Sequence, residues 1–223
     1  MRTIRQQFLR VLIGLDLVVI SVVTGVLYTE EKQSLIRDID NTLRAVAVMA
    51  RDLLPPDYHD RISGPDSVTE QEFEAIVDKF NRLCDAIGLE YIWSLMMIDG
   101  RPVFTSSTSP DKVVGNRKHA KFFEVHSNPE LYVKTFETMT PTFQTSRDKW
   151  GTIRAGLIPG TDRFGRKYLF GASVSLAYVN RQVRVIISQS LLIGLLLFLG
   201  SVIGTLWISR VLTRPIQRRA GRP

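Results

Sequence analysis

Three histidines and one cysteine are the residues of this chain most suited to metal binding or nucleophilic chemistry. His119 and His126 flank Glu124, but no two histidines stand four residues apart and no cysteine is near, so the spacing predicts no zinc site. His59 stands among aspartates in a stretch that is typical of a loop. The sequence has no Ser-His-Asp order, phosphate-binding loop or carboxylate pair, and therefore predicts neither an enzyme nor a bound cofactor.

The acidic residue with the clearest functional implication is Asp16, because it lies inside an apolar run. An ionisable residue within a membrane span is a functional hypothesis by default. Counted inward from the cytoplasmic ends of two such runs, Asp16 is level with Gly200 and Ser201. We expect a hydrogen bond to Ser201, and the alternative is that water reaches the carboxylate. Gly200 and Gly204 form a small-xxx-small motif, which permits close helix packing.

Two apolar runs, Val11–Tyr28 and Val185–Ile208, are long enough to cross a bilayer. A helix needs about 20 residues to span a hydrocarbon core of about 30 Å. A cleaved signal peptide is the alternative for the first run, but Tyr28-Thr29-Glu30-Glu31 lacks a small-residue cleavage site, which favours a retained anchor. The chain therefore divides into a tail (1–10), a first span (11–28), an outer domain (29–184), a second span (185–208) and a second tail (209–223).

The charge distribution predicts the orientation of these spans. Eight arginines and no acid lie in the two tails, whereas the outer domain is balanced between acidic and basic residues. Because cytoplasmic flanks of spans carry the excess of Lys and Arg, both tails are expected inside and residues 29–184 outside. The net charge of +7 is thus a topology signal and gives no support for nucleic-acid binding. We expect a multi-pass membrane protein.

The outer domain begins with patterns typical of two helices. Apolar residues recur every three or four positions from Leu35 to Leu54, where Pro55-Pro56 ends the first helix. Thr69, with Glu72 three residues later, forms a capping box for the second. Cys84 lies in that second helix as the only cysteine, so no intrachain disulfide can form and a buried apolar role is expected.

Strand patterns follow, and they indicate an α+β fold with an antiparallel sheet. Asp99-Gly100 supplies a two-residue hairpin turn. Pro102 cannot donate to a ladder, so its strand should begin there or lie at an edge. A short helix is predicted over Lys118–Val125. The predicted strands are Tyr91–Ile98, Arg101–Ser106, Trp150–Ile158 and Lys167–Leu176.

Residues 148–176 carry the first specific resemblance. The run Asp148-Lys149-Trp150-Gly151, the later Ile158-Pro159, the stretch Asp162–Arg166 and the strand after it resemble the end of extracytoplasmic single Cache sensor domains. The resemblance implies a PAS-like fold with a long N-terminal helix and a small-molecule pocket. One position departs from the pattern: Ser173 stands where such domains often have an aspartate, which makes an amine-bearing ligand doubtful. Ser209–Ile216 resembles the start of a HAMP linker, although Arg219 occupies a usual apolar position.

The resemblance also implies where a ligand binds. Cache pockets lie on one sheet face, under the excursion between the middle strands. Arg154 is the first candidate, since its planar fork suits a carboxylate; the alternative is that it faces solvent or pairs with an acid. Glycines and serines at 171, 173 and 175 leave room for a ligand or for a tight helix contact. The predicted ligand-binding residues are Arg154, Trp150, Arg147, Lys118, His119 and Ser173.

The sequence as a whole predicts a membrane receptor module that binds a small, anionic ligand outside the cell. By resemblance it would act as a homodimer and signal to a cytoplasmic histidine kinase, diguanylate cyclase or chemoreceptor output. The rival hypothesis is an envelope structural or assembly protein whose outer domain docks another protein, which would show an exposed apolar patch instead of a pocket.

Overall fold

The computed structural model describes residues 4–112, 119–148 and 151–219. They form four helices and five strands: α1 (Ile4–Asp52), α2 (Glu70–Ile87), β1 (Tyr91–Ile98), β2 (Arg101–Ser106), α3 (Glu130–Thr138), β3 (Thr142–Asp148), β4 (Gly151–Thr161), β5 (Lys167–Ser175) and α4 (Leu176–Arg219). They group into two compact units. The helical unit comprises the chain up to Leu35 and from Arg181 onward, and the sheet unit comprises Ile36–Asn180.

The sheet unit contains one five-stranded antiparallel sheet in the order β2-β1-β5-β4-β3. The predicted α+β class, with an antiparallel sheet and a long N-terminal helix, is confirmed. Asp99 and Gly100 have φ values of 47° and 74°, as a two-residue hairpin turn requires. Pro102 lies in β2, which is an edge strand, so its missing N–H breaks no ladder.

The predicted helix caps are also present. The Thr69 side chain accepts a hydrogen bond from the Glu72 amide at 3.2 Å, and Gly88 ends α2 in the left-handed conformation. Cys84 is fully buried on α2, where burial raises the pKa of its thiol to about 12. The thiol is therefore an apolar packing group, as predicted.

In the middle of the chain one predicted helix is wrong and one strand was missed. Of the predicted helix Lys118–Val125, residues 119–125 are not helical, because Phe123 has a φ of 64° and Val125 bridges to Val103 of β2. The helix in this region is α3 instead, and β3 is a strand that the sequence did not indicate. Lys118 itself lies outside the described residues.

The two faces of the sheet are covered differently. On one face, which we call the cavity face, alternate residues of β1, β4 and β5 pack with α3. On the opposite face Gly156 lies against α1, where an added Cβ would meet Leu43 Cβ at 2.9 Å. Strand β4 therefore contacts α1 with one set of residues and the cavity face with the other.

The helical unit contains the parts of α1 and α4 that are long and apolar enough to span a membrane. Large apolar side chains along both helices are exposed, among them Val11, Leu191 and Trp207. Exposure of this kind along a whole helix is typical of a surface covered by lipid or by other helices.

Candidate functional site

A cavity lies on the cavity face, between the sheet and the segment that follows β2. It is partly open to solvent, and about 40 Å³ of it is free to the centres of water-sized molecules. Since one water needs at least about 10–15 Å³ by that measure, the cavity accommodates a compact ligand of a few heavy atoms. Its walls are Tyr91, Ile92, Trp93, Phe104, Ser107, Thr108, Ala120, His126, Tyr132 and Ile153.

Hydrogen bonds to nearby protein groups hold the polar side chains of this wall in place. His126 Nδ1 accepts from the Asn128 amide at 3.1 Å, which puts the proton on Nε2, and Nε2 lies 2.8 Å from the Tyr132 hydroxyl. Ser107 Oγ donates to the Ala120 carbonyl at 3.1 Å. The wall therefore combines aromatic surface with a few fixed polar groups, which is the usual make-up of a small-molecule site.

Some buried polar groups near this cavity have no partner. Among the described residues, Trp93 Nε1, Ser173 Oγ, Thr135 Oγ1 and His119 Nε2 are buried and make no hydrogen bond. Trp93 and Ser173 lie on the cavity face, and Thr135 lies on α3, which packs against that face. Because the great majority of buried polar groups in proteins are paired, such a group calls for a water, an ion or a ligand.

The first predicted ligand-binding residue, Arg154, is engaged elsewhere. Its Nε and Nη2 atoms donate to the two carboxylate oxygens of Asp40 on α1, each at 2.7 Å. Because Ile153 lines the cavity and side chains alternate along a strand, Arg154 points to the opposite face. Pairing with an acid, the alternative left open by the sequence, is the arrangement observed.

The other predicted residues have different surroundings. Arg147 is exposed on β3. His119 is half-buried next to the wall residue Ala120, and its Nδ1 lies 2.9 Å from the Ala120 carbonyl. Ser173 is fully buried opposite Tyr91, another wall residue. Trp150, like Lys118, lies outside the described residues. Ligand binding by these residues stays a prediction.

The glycine expected to leave room for a ligand instead leaves room for an indole ring. A Cβ on Gly171 would lie 2.2 Å from Trp93 Cε2, so the ring occupies the space above this position. Sequence reasoning missed the aromatic wall, although its signal was present: Tyr91 and Trp93 stand two apart in a strand and must share one face.

A cation that the sequence did not single out lies beside the wall. The Lys112 ammonium group is 4.9 Å from the centre of the Tyr91 ring and donates to the Glu90 carbonyl. Lys112 has a φ of 58°, so its backbone is in the left-handed region. The position of this ammonium group depends on contacts between distant segments, and no local sequence pattern indicates it.

A second polar cluster occupies the opposite face. His59 Nε2 lies 3.3 Å from Thr105 Oγ1, which is 2.6 Å from Ser94 Oγ, which in turn is 2.6 Å from Ser106 Oγ. Thr105 is the extra residue of a β-bulge, since Ser94 pairs with Ser106 and the next residue of β1 pairs with residue 104. Burial lowers the pKa of His59 to about 4, so the imidazole is neutral at neutral pH.

The helical unit contains the contact that was expected for Asp16. Ser201 Oγ donates to Asp16 Oδ2 at 2.5 Å. The two helices also approach closely where a Cβ on Gly194 would meet Thr24 Oγ1 at 2.7 Å. At Gly200 and Gly204 an added Cβ would meet nothing within 4 Å, so these two glycines do not pack within the chain.

Comparison with known proteins gives distant structural similarities. No protein-family model matches the sequence, and no curated protein matches it. The sensory domain of the Campylobacter jejuni chemoreceptor Tlp3 with isoleucine bound aligns with 80% of this chain at 13% identity and a TM-score of 0.36. The same domain in complex with L-valine aligns over 80% at 14% identity, with a TM-score of 0.36.

A GAF domain of a two-component sensor histidine kinase from Bacillus halodurans aligns with 52% of the chain and 96% of that domain, at 14% identity and a TM-score of 0.30. The chain spans 63% of the length of the isoleucine-bound Tlp3 domain. At these low scores the similarities give no argument for function. Any functional proposal therefore rests on the cavity and the residues around it.

Proposed function

We propose that this chain is the sensing part of a bacterial inner-membrane receptor, in which the sheet unit binds a small ligand outside the cytoplasm. The observation that carries the proposal is the cavity on the cavity face, with unpaired buried polar groups beside it. A ligand that satisfies those groups would bind the folded form selectively, as a sensor requires.

An anionic ligand remains the specific prediction. Lys112, next to the wall residue Tyr91, supports it, because its ammonium group is held by a carbonyl and a ring face rather than by a carboxylate. Lys118 stands two residues before the wall residue Ala120 in the sequence and adds a second cation to the same segment. Arg154 does not enter this proposal, because Asp40 already neutralises its charge.

The contacts of β4 suggest how a ligand signal would leave the site. Ile153 lines the cavity, while the next residue, Arg154, binds Asp40 of α1 through two hydrogen bonds. A ligand that displaces β4 would therefore shift α1, which is one helix from Ile4 to Asp52. Small displacements of such a helix are a known means of signalling. The proposal also includes four features expected from the sequence: a single Cache domain, a HAMP-like linker, a homodimer, and a kinase, cyclase or chemoreceptor output.

The alternative function is docking of another envelope protein, and one feature of the sheet unit favours it. Val48 and Met49 are exposed in the last turns of α1, and Leu53 is exposed directly after its end. Such a stripe suits a protein contact. It is equally compatible with a homodimeric receptor, and the cavity supports the receptor hypothesis.

The proposal is tested by thermal denaturation of the full chain in detergent against a panel of small acids, amino acids and amines. A ligand at 100 times its Kd stabilises the folded state by about 2.7 kcal/mol. The matched control is Ala120→Phe, which fills the cavity from a buried wall position. The variant has its own stability, so the ligand-induced shift is the quantity compared.

A compound that stabilises the wild-type chain and leaves Ala120→Phe unchanged supports the proposal. Equal shifts in both proteins would place binding outside the cavity and refute it. A panel without any stabilising compound, together with capture of a defined envelope protein that Met49→Glu abolishes, would favour the docking function.

A further inference from the structure

Two of the unpaired buried groups are hydrogen-bond donors on neighbouring positions of the cavity face. Trp93 is 6% exposed and Ser173 is 0% exposed, and neither the indole Nε1 nor the hydroxyl Oγ makes a hydrogen bond. We propose that this donor pair, defined as Trp93 Nε1–H and Ser173 Oγ–H, recognises an oxygen acceptor of the ligand, a carboxylate or a carbonyl. This inference rests on the proposed function and adds the chemical group that the cavity selects.

The strand register brings the two donors together. Trp93 pairs with Gly171, and Tyr91 pairs with Ser173, so the donors come from adjacent strands and point to the same face. The indole lies across β5, with Nε1 2.7 Å from the position of a Cβ on Gly171. Ser173 is two residues further along the same strand, which is about 7 Å.

One small acceptor group can join such a pair of donors. Hydrogen bonds of about 2.9 Å let one carbonyl oxygen join donors up to about 6 Å apart, and the two oxygens of a carboxylate reach further. Since the indole N–H of Trp93 can only donate, an ammonium group in the same place would leave it unsatisfied.

On the β4 side of the donor pair the chain supplies no side-chain acceptor. Ala155 is the partner of Ser173 on β4, and Leu157 is the partner of Gly171. Both are buried and apolar. The two donors have no hydrogen-bond partner, so the free protein bears the desolvation cost that a ligand would offset.

The desolvation cost predicts the direction in which the stability of the free chain should change. Removing a buried, unpaired hydroxyl removes its desolvation cost, so Ser173→Ala should keep or raise the melting temperature of the free chain. The same substitution should weaken binding of an acceptor about tenfold, the effect of one hydrogen bond. A purely structural serine would show the opposite pattern, with lower stability and unchanged affinity.

The matched control is Ser94→Ala on the opposite face of β1. Ser94 is as fully buried as Ser173, but its hydroxyl lies 2.6 Å from both Thr105 Oγ1 and Ser106 Oγ. This substitution should lower the melting temperature and leave affinity unchanged. Trp93→Phe, which removes the N–H and keeps an aromatic ring, should weaken binding as Ser173→Ala does.

The probes are acetate, acetamide and methylammonium, titrated calorimetrically into the full chain in detergent. Acetate and acetamide share the oxygen acceptor in a compact shape, and methylammonium is a compact donor. Binding of both acceptors, weakened by Ser173→Ala, is the expected result. Binding of acetate alone, weakened in the same way, assigns the acceptor to a carboxylate.

Other outcomes overturn the inference. Binding of methylammonium in preference to the acceptors, failure of all three probes to bind, or acceptor binding that is equal in Ser173→Ala and wild type would each do so. In the last case, if Ala120→Phe still abolishes binding, the proposed function stands and only the donor pair is wrong. Acetate binding that survives Ala120→Phe as well would count against both.

Discussion

Protonation of His59 should destabilise the sheet unit in acid. The imidazole is 7% exposed, stacks on the Tyr168 ring at a centroid distance of 4.2 Å, and contacts Thr105 through Nε2. Burial lowers its pKa from 6.5 to about 4, while the nearby Asp162 and Asp60 act in the opposite direction and Arg166 reinforces the shift. The neutral ring is therefore part of the folded structure.

The sign and size of the effect follow from this difference in pKa. Between pH 6.5 and about 4 the unfolded chain binds the proton and the folded chain does not, so stability falls as pH falls through this window. One pKa unit corresponds to about 1.4 kcal/mol, so the loss attributable to His59 is about 3 kcal/mol. Below the folded-state pKa no further loss comes from this residue.

The assay is urea denaturation of the full chain in detergent at a series of pH values from about 7 to about 4. His59→Phe is the comparison variant, because it keeps a ring over Tyr168 and cannot titrate. The carboxylates titrate in both proteins and cancel in the difference. The wild type should lose about 3 kcal/mol more than the variant across the window. Parallel stability curves, or a steeper loss in the variant, would refute the reasoning.

Three further predictions follow from packing, pairing and topology. Arg154→Ala leaves Asp40 half-buried without its partner. It should lower the free energy of unfolding by about 1.5–3 kcal/mol and leave ligand affinity unchanged. Loss of affinity with intact stability would instead indicate that Arg154 binds the ligand. Gly156→Ala should lower the free energy of unfolding by about 1–3 kcal/mol in the same denaturation assay, because the new Cβ would lie 2.9 Å from Leu43 Cβ on α1. An unchanged free energy of unfolding would show that this contact is loose. A reporter active only outside the cytoplasm should be active when fused near Ser107 and silent after Arg219; the reverse result would overturn the proposed orientation.

The local parts of the fold were predictable because short-range rules determine them. The capping residue Thr69, the terminating Gly88 and the Asp99-Gly100 turn each act within a few residues of themselves. Strand β3 was missed because its sequence is polar: it lies at the sheet edge, where one face meets solvent and alternation is weak. The short helix predicted near Phe123 failed because contacts with β2 override local propensity there.

The site was less predictable, because it is assembled from distant segments. Pairing of Arg154 with an acid was one of the alternatives, but its partner lies 114 residues earlier on α1, and one sequence does not reveal which acid that is. Tyr91 and Trp93 were assigned to the correct strand without a role. His126 was weighed only as a metal ligand, whereas its Nε2 lies within hydrogen-bonding distance of the Tyr132 hydroxyl, beside the cavity. Only packing of the segment after β2 brings these rings together.

The most direct test of ligand binding in the cavity is hydrogen–deuterium exchange of the full chain, with and without the most stabilising compound from the screen. Binding at the proposed site should slow amide exchange in residues 119–132, which supply one cavity wall, and leave residues 51–60 and 161–166 unchanged. The latter segments border a separate polar groove on the sheet unit. Protection confined to that groove, with exchange in 119–132 unaltered, would contradict the account.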